Sequence, residues 1–325
     1  MKRYINLVAA GLVGLVAGVM PLAANAQEFP TPGSTVTMIV PVPPGGGTDQ
    51  FARVIAPLVE ADLGVTVQVV NKPGASMQIG SVELVGSKPD GYTVMWMVLP
   101  TAAAYLDEER QSTYGRDDFQ PIASLQTSNS AATVLASSPY NTVEDLIAAA
   151  KANPGSLKAG TAGRLSTGHL ASLDFARSLG IKLATVNFTG GAQQMTALLG
   201  GHIDVSFNTL SEVLPQVASG QLRILGVMAD GEDVSGVKTF KAQGYDVGSL
   251  SVDLGVVGPA NMEPATVDIL AASLKKALDA PETQAYLKER AINGRFLNPS
   301  EYAAAWDEIE KRFKPLIDLA KQDGN

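Results

Sequence analysis

Short β-branched runs alternate with stretches of helical periodicity along nearly the whole chain, and this alternation restricts the fold to α/β: parallel sheets covered by helices. Strands are expected at 36–40, 65–70, 93–98, 133–136, 157–161, 184–188, 203–207, 222–228 and 253–257. Between them Phe51, Val54, Ile55, Leu58 and Val59 recur at helical spacing, with Pro57 expected to kink that helix. Thr142 to Asp145 reads as a capping box that opens a helix, and Asn153-Pro154-Gly155 closes it. Helices are also expected after Ser166-Thr167, after Gly190-Gly191 and after Ser211. The chain from Pro264 onward reads as helical with a break at Pro281.

The first strand runs into its helix through "VPVPPGGGTDQF", which packs three glycines and an acid into one turn. Glycines there let backbone approach a ligand, and the free N–H groups of a first helical turn carry partial positive charge, so the turn reads as an anion cradle. A tight turn alone would use the same residues. The dinucleotide fingerprint fails because Gln50 stands where a third glycine is required, and no Gly-Lys-Ser/Thr exists for a phosphate loop. Three further junctions repeat the chemistry: Asn71 to Gly80, Gly163 to Leu170, and Asn187 to Gly191. In open parallel sheets ligands sit beyond the carboxyl ends of the strands, so these loops would line one crevice between two facing domains.

Composition narrows the function. Lys2 and Arg3, the apolar run from Leu7 to Met20 and Ala24-Asn25-Ala26 read as a secretory leader cleaved after Ala26, giving a periplasmic protein. A membrane anchor is the competing reading, but the apolar run is short of the roughly 20 residues a span needs. Removing Lys2 and Arg3 leaves 22 basic residues against 32 acidic ones, a net charge of −10, which argues against nucleic acid as a partner. The absence of cysteine excludes disulfides, a thiol nucleophile and a lipid-anchored cysteine. With only two histidines as well, a zinc site lacks its usual ligands, and neither metal nor cofactor is expected.

The ordered series "VPVPPGGGTD", "NKPGASMQIG", "KPDGYTVM", "DDFQPIAS", "STGHLASLDFA", "VNFTGGAQQMTALLGGHIDVSF" and "VASGQLRILGV" resembles the Bug receptor family, the extracytoplasmic solute receptors of tripartite tricarboxylate transporters. The resemblance implies two doubly wound domains of the periplasmic-binding-protein kind that close on a carboxylate, with the membrane subunits of a transporter as partners. The family's first-loop segment corresponds to Pro41 through Asp49, with Val42 in place of a phenylalanine. Its second loop corresponds to Asn71 through Met77, with Ser76 and Met77 where glycines are usual. A third segment corresponds to Val186 through Gly190, with Asn187, Phe188 and Thr189 substituted. These departures cluster at the expected ligand loops.

The candidate ligand residues follow. Gly45, Gly46, Gly47 and Thr48 supply donors from one domain, with Pro44 beside them as a ligand contact and Asp49 more suited to capping the first helix than to touching an anion. Ser166, Thr167, Thr189, Gly190 and Gly191 supply donors from the other, and Thr101 and Asn208 lie beyond strand ends. Helix-terminal amides and hydroxyls hold a carboxylate without a desolvated cation, so an acidic protein can bind an acid. Arg164 reads either as a solvated surface residue or as the partner of a second carboxylate. Ser76 and Met77 belong to the second loop; Met77 and Phe188 read either as core or as apolar walls. His169 fits a helix or core position better than a base.

The expected protein is therefore a receptor, not an enzyme, and a monomer, binding a di-, tricarboxylate or aromatic acid. A ligand sensor without transport and an exported ester hydrolase are the alternatives. For the hydrolase, the segment around Ser166 misses the nucleophile-elbow spacing by one residue. The expected division is a leader at 1–26, a discontinuous first domain at 27–125 plus 251–325, and a second at 126–250.

Overall fold

The structure, a computed structural model, describes residues 29–290 and 292–322. The leader and its cleavage point lie outside the described residues. Strand β1 (Thr35–Val40) feeds α1 (Gly47–Leu63), then β2 (Thr66–Asn71), α2 (Gln78–Val85) and β3 (Thr93–Leu99). Three 3-10 segments, Thr101–Leu106, Glu108–Arg110 and Arg116–Asp118, lead to the long β4 (Phe119–Leu135). There follow α3 (Val143–Ala152), β5 (Lys158–Thr161), α4 (Thr167–Leu179), β6 (Ala184–Asn187), α5 (Gly191–Leu199), β7 (Val205–Thr209), α6 (Leu210–Ala218) and β8 (Leu222–Val227). A small hairpin, β9 (Asp233–Val234) and β10 (Val237–Lys238), precedes β11 (Ser251–Pro259). The chain then forms α7 (Pro264–Asp279), α8 (Pro281–Glu289), β12 (Asn293–Leu297) and α9 (Pro299–Gln322).

Ten of these strands form one sheet in the order β2-β1-β3-β11-β4-β7-β5-β6, with β12 and β8 also paired to β4. The pairs β1–β2, β1–β3, β5–β6 and β5–β7 are parallel, as the β/α alternation predicts. The centre is not: β11 runs antiparallel to β3 and β4, and β4 antiparallel to β7 and β8. Strand β4 also begins well before the expected residue 133. It changes neighbours partway along, pairing Asn129 with Ser251 of β11 and the next residue, Ser130, with Thr209 of β7. Residues before that point belong to one lobe and residues after it to the other. Ser130 N–H donates to the carbonyl of Leu250 at 2.8 Å, so the two strands that cross between lobes are bonded where they cross.

Each lobe has its own core. Helix α1 buries Phe51, Ala52, Ile55, Ala56 and Val59 against β1 and β3, and runs through Pro57 before Gly64 (φ 66°) ends it by donating to the Glu60 carbonyl at 3.0 Å. Burial of each large apolar side chain contributes about 1.5–3 kcal/mol. In the second lobe Phe175 and Phe207 meet edge to face at 5.2 Å in a core shared with Leu146, Leu170 and Val205. Helix α9 serves both: Tyr302 and Trp306 pack in the first lobe, whereas Phe313, Leu316, Ile317 and Ala320 join the core of the second. The end of the chain, grouped by sequence with the first domain, thus straps the two lobes together. The helix break at Pro281 and the capping box at Thr142 fall where the sequence puts them.

Candidate functional site

The loops that leave the carboxyl ends of β1, β2, β3, β5, β6 and β7 face each other across the line between the lobes, and several are in direct contact. In the first loop Asp49 does not point at the cleft. It is buried, accepts from Gly45 N–H at 2.9 Å and from the Asn71 amide at 2.8 Å, and pairs with Arg53 at 3.0 Å. Burial works against its charge, but Arg53, Gly45 and Asn71 together hold its carboxyl below the usual range. Asp49 therefore ties the glycine loop to the start of α1, whose N-cap is Gly46. Pro44 and Gly45 are exposed at the tip, while Gly47 and Thr48 are half-buried at the start of the helix.

The second loop carries three successive non-glycine residues with positive φ: Ala75 at 47°, Ser76 at 52° and Met77 at 73°. Side chains are strained there, which explains why glycines suit the last two positions. The loop is held from the side by Arg110, which the sequence reading missed. Its guanidinium donates to the Ala75 carbonyl at 3.2 Å and to Ser76 Oγ at 3.1 Å, and reaches the Arg164 carbonyl of the other lobe at 3.5 Å. Ser76 Oγ itself donates to that carbonyl at 2.8 Å. Behind Arg110 stands the buried Asp107, which also pairs with Lys321 of α9 at 3.2 Å. Burial, with the nearby Arg164, lowers the Arg110 pKa despite Asp107. Nothing in the run Asp107-Glu108-Glu109-Arg110 distinguishes this arginine from a solvated one.

Helix α4 starts at this contact. Ser166 is its N-cap, its hydroxyl accepting from His169 N–H at 3.2 Å. Thr167 N–H donates across the cleft to Thr101 Oγ1 at 3.3 Å, and the two threonine hydroxyls lie 3.4 Å apart. His169 is buried, and its Nδ1 accepts from Leu165 N–H at 3.0 Å, holding Leu165 at φ 59°. Burial, helped by Arg164, lowers its pKa to about 4, so the ring is neutral with its proton on Nε2. The imidazole Nδ1 is engaged by Leu165 and the Ser166 hydroxyl by its cap, an arrangement that does not make a serine–histidine pair for ester hydrolysis.

At the other end of the cleft, Gly190 (φ 151°) and Gly191 open α5. A Cβ on Gly190 would stand 3.6 Å from Pro43 of the first loop, so the two loops are in near contact. Thr189 is exposed, and its N–H and hydroxyl donate to Gln193 Oε1 at 3.3 and 2.7 Å. Asn208 is buried at the end of β7 and donates to Glu212 Oε2 at 3.3 Å. Met77 lies buried in the core with Ile39, Met95 and Leu99, whereas Phe188 is half-buried and packs on the cluster of Leu198 and Ile203. A broad depression lined by Glu144, Lys151, Leu179 and Tyr245 lies at the far end of α4 from these loops. Among the described residues no acid and histidine cluster is placed to hold a metal, and no helix is long and apolar enough to cross a membrane.

Two lobes joined by crossing strands, with strand-end loops and helix N-termini converging between them, define a two-lobed solute-binding protein. The chain belongs to the tripartite tricarboxylate transporter family of receptors, whose model matches residues 51–321. It is 30% identical over 319 residues to the UPF0065 protein in the gbd 5' region of Cupriavidus necator, covering 96% of this chain and 94% of that one. Among solved structures it matches a TctC solute-binding protein from Polaromonas with a TM-score of 0.68 at 30% identity, covering 88% of this chain and 99% of that one. The periplasmic binding protein BugD matches with a TM-score of 0.80 at 26% identity, covering 90% of this chain and 99% of that one. The family is one of solute receptors, not of enzymes.

Proposed function

We propose that this chain is an exported, monomeric receptor that closes its lobes on a small carboxylate and delivers it to the membrane subunits of a tripartite tricarboxylate transporter. The observation that carries this reading is the meeting of loops from both lobes at the N-termini of α1, α4 and α5, at Ser76 with Arg164, Thr101 with Thr167 and Pro43 with Gly190. Amides of Gly46 to Thr48 and of Gly190 and Gly191, with Ser166, Thr167 and Asn208, form the ligand site, while the Gly45 and Thr189 amides are spent on Asp49 and Gln193. Arg164 pairs with a second carboxylate. Donors split between two lobes reach one small anion together only when the cleft is shut, so ligand draws the protein to its compact state. The moving units are the first lobe, which holds the chain up to Asn129 and from Ser251, and the second, from Ser130 to Leu250, turning at those two crossings while α9 straps them.

A thermal-shift screen of mono-, di-, tricarboxylic and aromatic acids tests the reading, since a ligand bound only by the folded state raises the melting temperature. A rise confined to acids of one class, with no product formed, is expected. An unmoved melting temperature throughout would remove the carboxylate assignment.

A further inference from the structure

Glu212 was not singled out by the sequence, where Thr209-x-x-Glu212 signals only the start of α6. In the structure it reaches into the cleft. Its Oε1 lies 3.6 Å from where a Cβ on Gly47 would stand and 3.2 Å from one on Gly191. Those glycines begin α1 of the first lobe and α5 of the second, so a carboxylate of the protein itself stands where two helix N-termini meet. The charge also bears on Tyr286 of α8, in the first lobe.

Its orientation is held by a chain of polar contacts along the second lobe's floor. Gln194 Nε2 donates to Ser206 Oγ at 2.7 Å, and the Ser206 hydroxyl donates to Asn208 Oδ1. That bond turns the Asn208 amide nitrogen towards Glu212 Oε2, which also accepts from Thr209 N–H at 3.3 Å. Gln194 and Ser206 are fully buried and Asn208 is 4% exposed, so the chain of bonds is screened from water. With Oε2 committed to the cap and to Asn208, Oε1 is the oxygen turned to the glycines.

We propose that Glu212 is a specificity residue, which makes the cleft prefer acids carrying a hydroxyl or ammonium beside the carboxylate over plain acids of the same skeleton. This rests on the carboxylate-receptor reading. A ligand carboxylate set against Glu212 meets like charge at close range, whereas a hydroxyl or ammonium donates to Oε1. With that donor on Oε1, the adjacent carboxylate takes the amides of Gly46 to Thr48 and of Gly190 and Gly191, and the second carboxylate turns to the Arg164 end.

Calorimetry on plain, 2-hydroxy and 2-amino diacids with four- and six-carbon chains decides it, using wild type and Glu212→Gln. Glutamine preserves the capping box and removes the charge. Wild type is expected to bind the donor-bearing acids about ten-fold or more tighter than the plain ones, the range a charge-assisted bond supplies. In Glu212→Gln the ratio falls to within about three-fold, by a gain for plain acids and a loss for amino acids. Should the Glu212→Gln protein not fold, Glu212→Asp, whose carboxylate is one methylene shorter, is expected to reduce the ratio in the same sense. A ratio unchanged by substitution, or a wild type that prefers plain acids, assigns Glu212 to the cap alone and overturns the proposal. If no diacid binds the wild type, the receptor reading for diacids falls first and takes this one with it.

Discussion

Ser76 Oγ donates to the carbonyl of Arg164 at 2.8 Å, joining the loop before α2 to the loop before α4 across 88 residues of sequence. The bond bridges the lobes, and Arg110 braces it from the side. The two loops are thus held to each other by neutral and charge-assisted hydrogen bonds.

Arg110 should therefore act on release. In Arg110→Met the bonds to Ala75, Ser76 and Arg164 are lost, and ligand dissociation is expected to accelerate about ten-fold with association changed little, because affinity differences at one interface reside mostly in the off-rate. Stopped-flow measurement with any acid found in the screen reads both rates. Small-angle scattering should show a larger radius of gyration for the unliganded variant. Equal off-rates would confine Arg110 to supporting its own segment.

The buried His169 predicts a pH dependence. Its folded pKa of about 4 lies below the unfolded value near 6.5, so the unfolded chain binds the proton first. Stability is then full above the unfolded value and falls as pH drops from about 6.5 towards about 4, by at most about 3 kcal/mol from this residue. His169→Gln should be less stable at pH 7 through loss of the Leu165 contact, yet lose less between about pH 7 and 4. Urea unfolding at several pH values compares the slopes; parallel curves would contradict the assignment.

Two glycines separate closure from folding. A Cβ on Gly168 would stand 2.3 Å from the Phe207 carbonyl inside the second lobe, so Gly168→Ala should destabilise the fold by about 1–3 kcal/mol or more. Gly190→Val meets Pro43 only across the cleft and strains a φ of 151°, so it should weaken carboxylates about ten-fold or more while lowering the melting temperature less than Gly168→Ala does. Calorimetry and melting curves on both variants give the comparison, and a reversed order would disconnect Gly190 from the ligand.

Arg164 bears on the second carboxylate. Arg164→Met is expected to weaken dicarboxylates by about one to two decades and to spare monocarboxylates, since a hydrogen bond to a charged group contributes about 1.5–3 kcal/mol. Titration of matched mono- and diacids reads this directly. Equal losses for both classes would return Arg164 to the loop surface.

Much was already decided by local sequence. The β-branched runs, the apolar spacing from Phe51 to Val59, the capping box at Thr142 and the break at Pro281 locate elements because propensity, periodicity and capping act over a few residues. The glycine junctions mark candidate ligand loops for the same local reason. The antiparallel centre of the sheet, the change of partners between Asn129 and Ser130, and the sharing of α9 by both lobes arise only from long-range pairing. Arg110 and Glu212 were illegible for that reason: one stands in a charged run and the other in a capping box, and each gains its place in the cleft from groups brought to it by the fold. Met77, an apolar residue in a ligand loop, could be read either way until packing buried it, because whether an apolar side chain lines a cleft or fills a core depends on the surfaces that close over it.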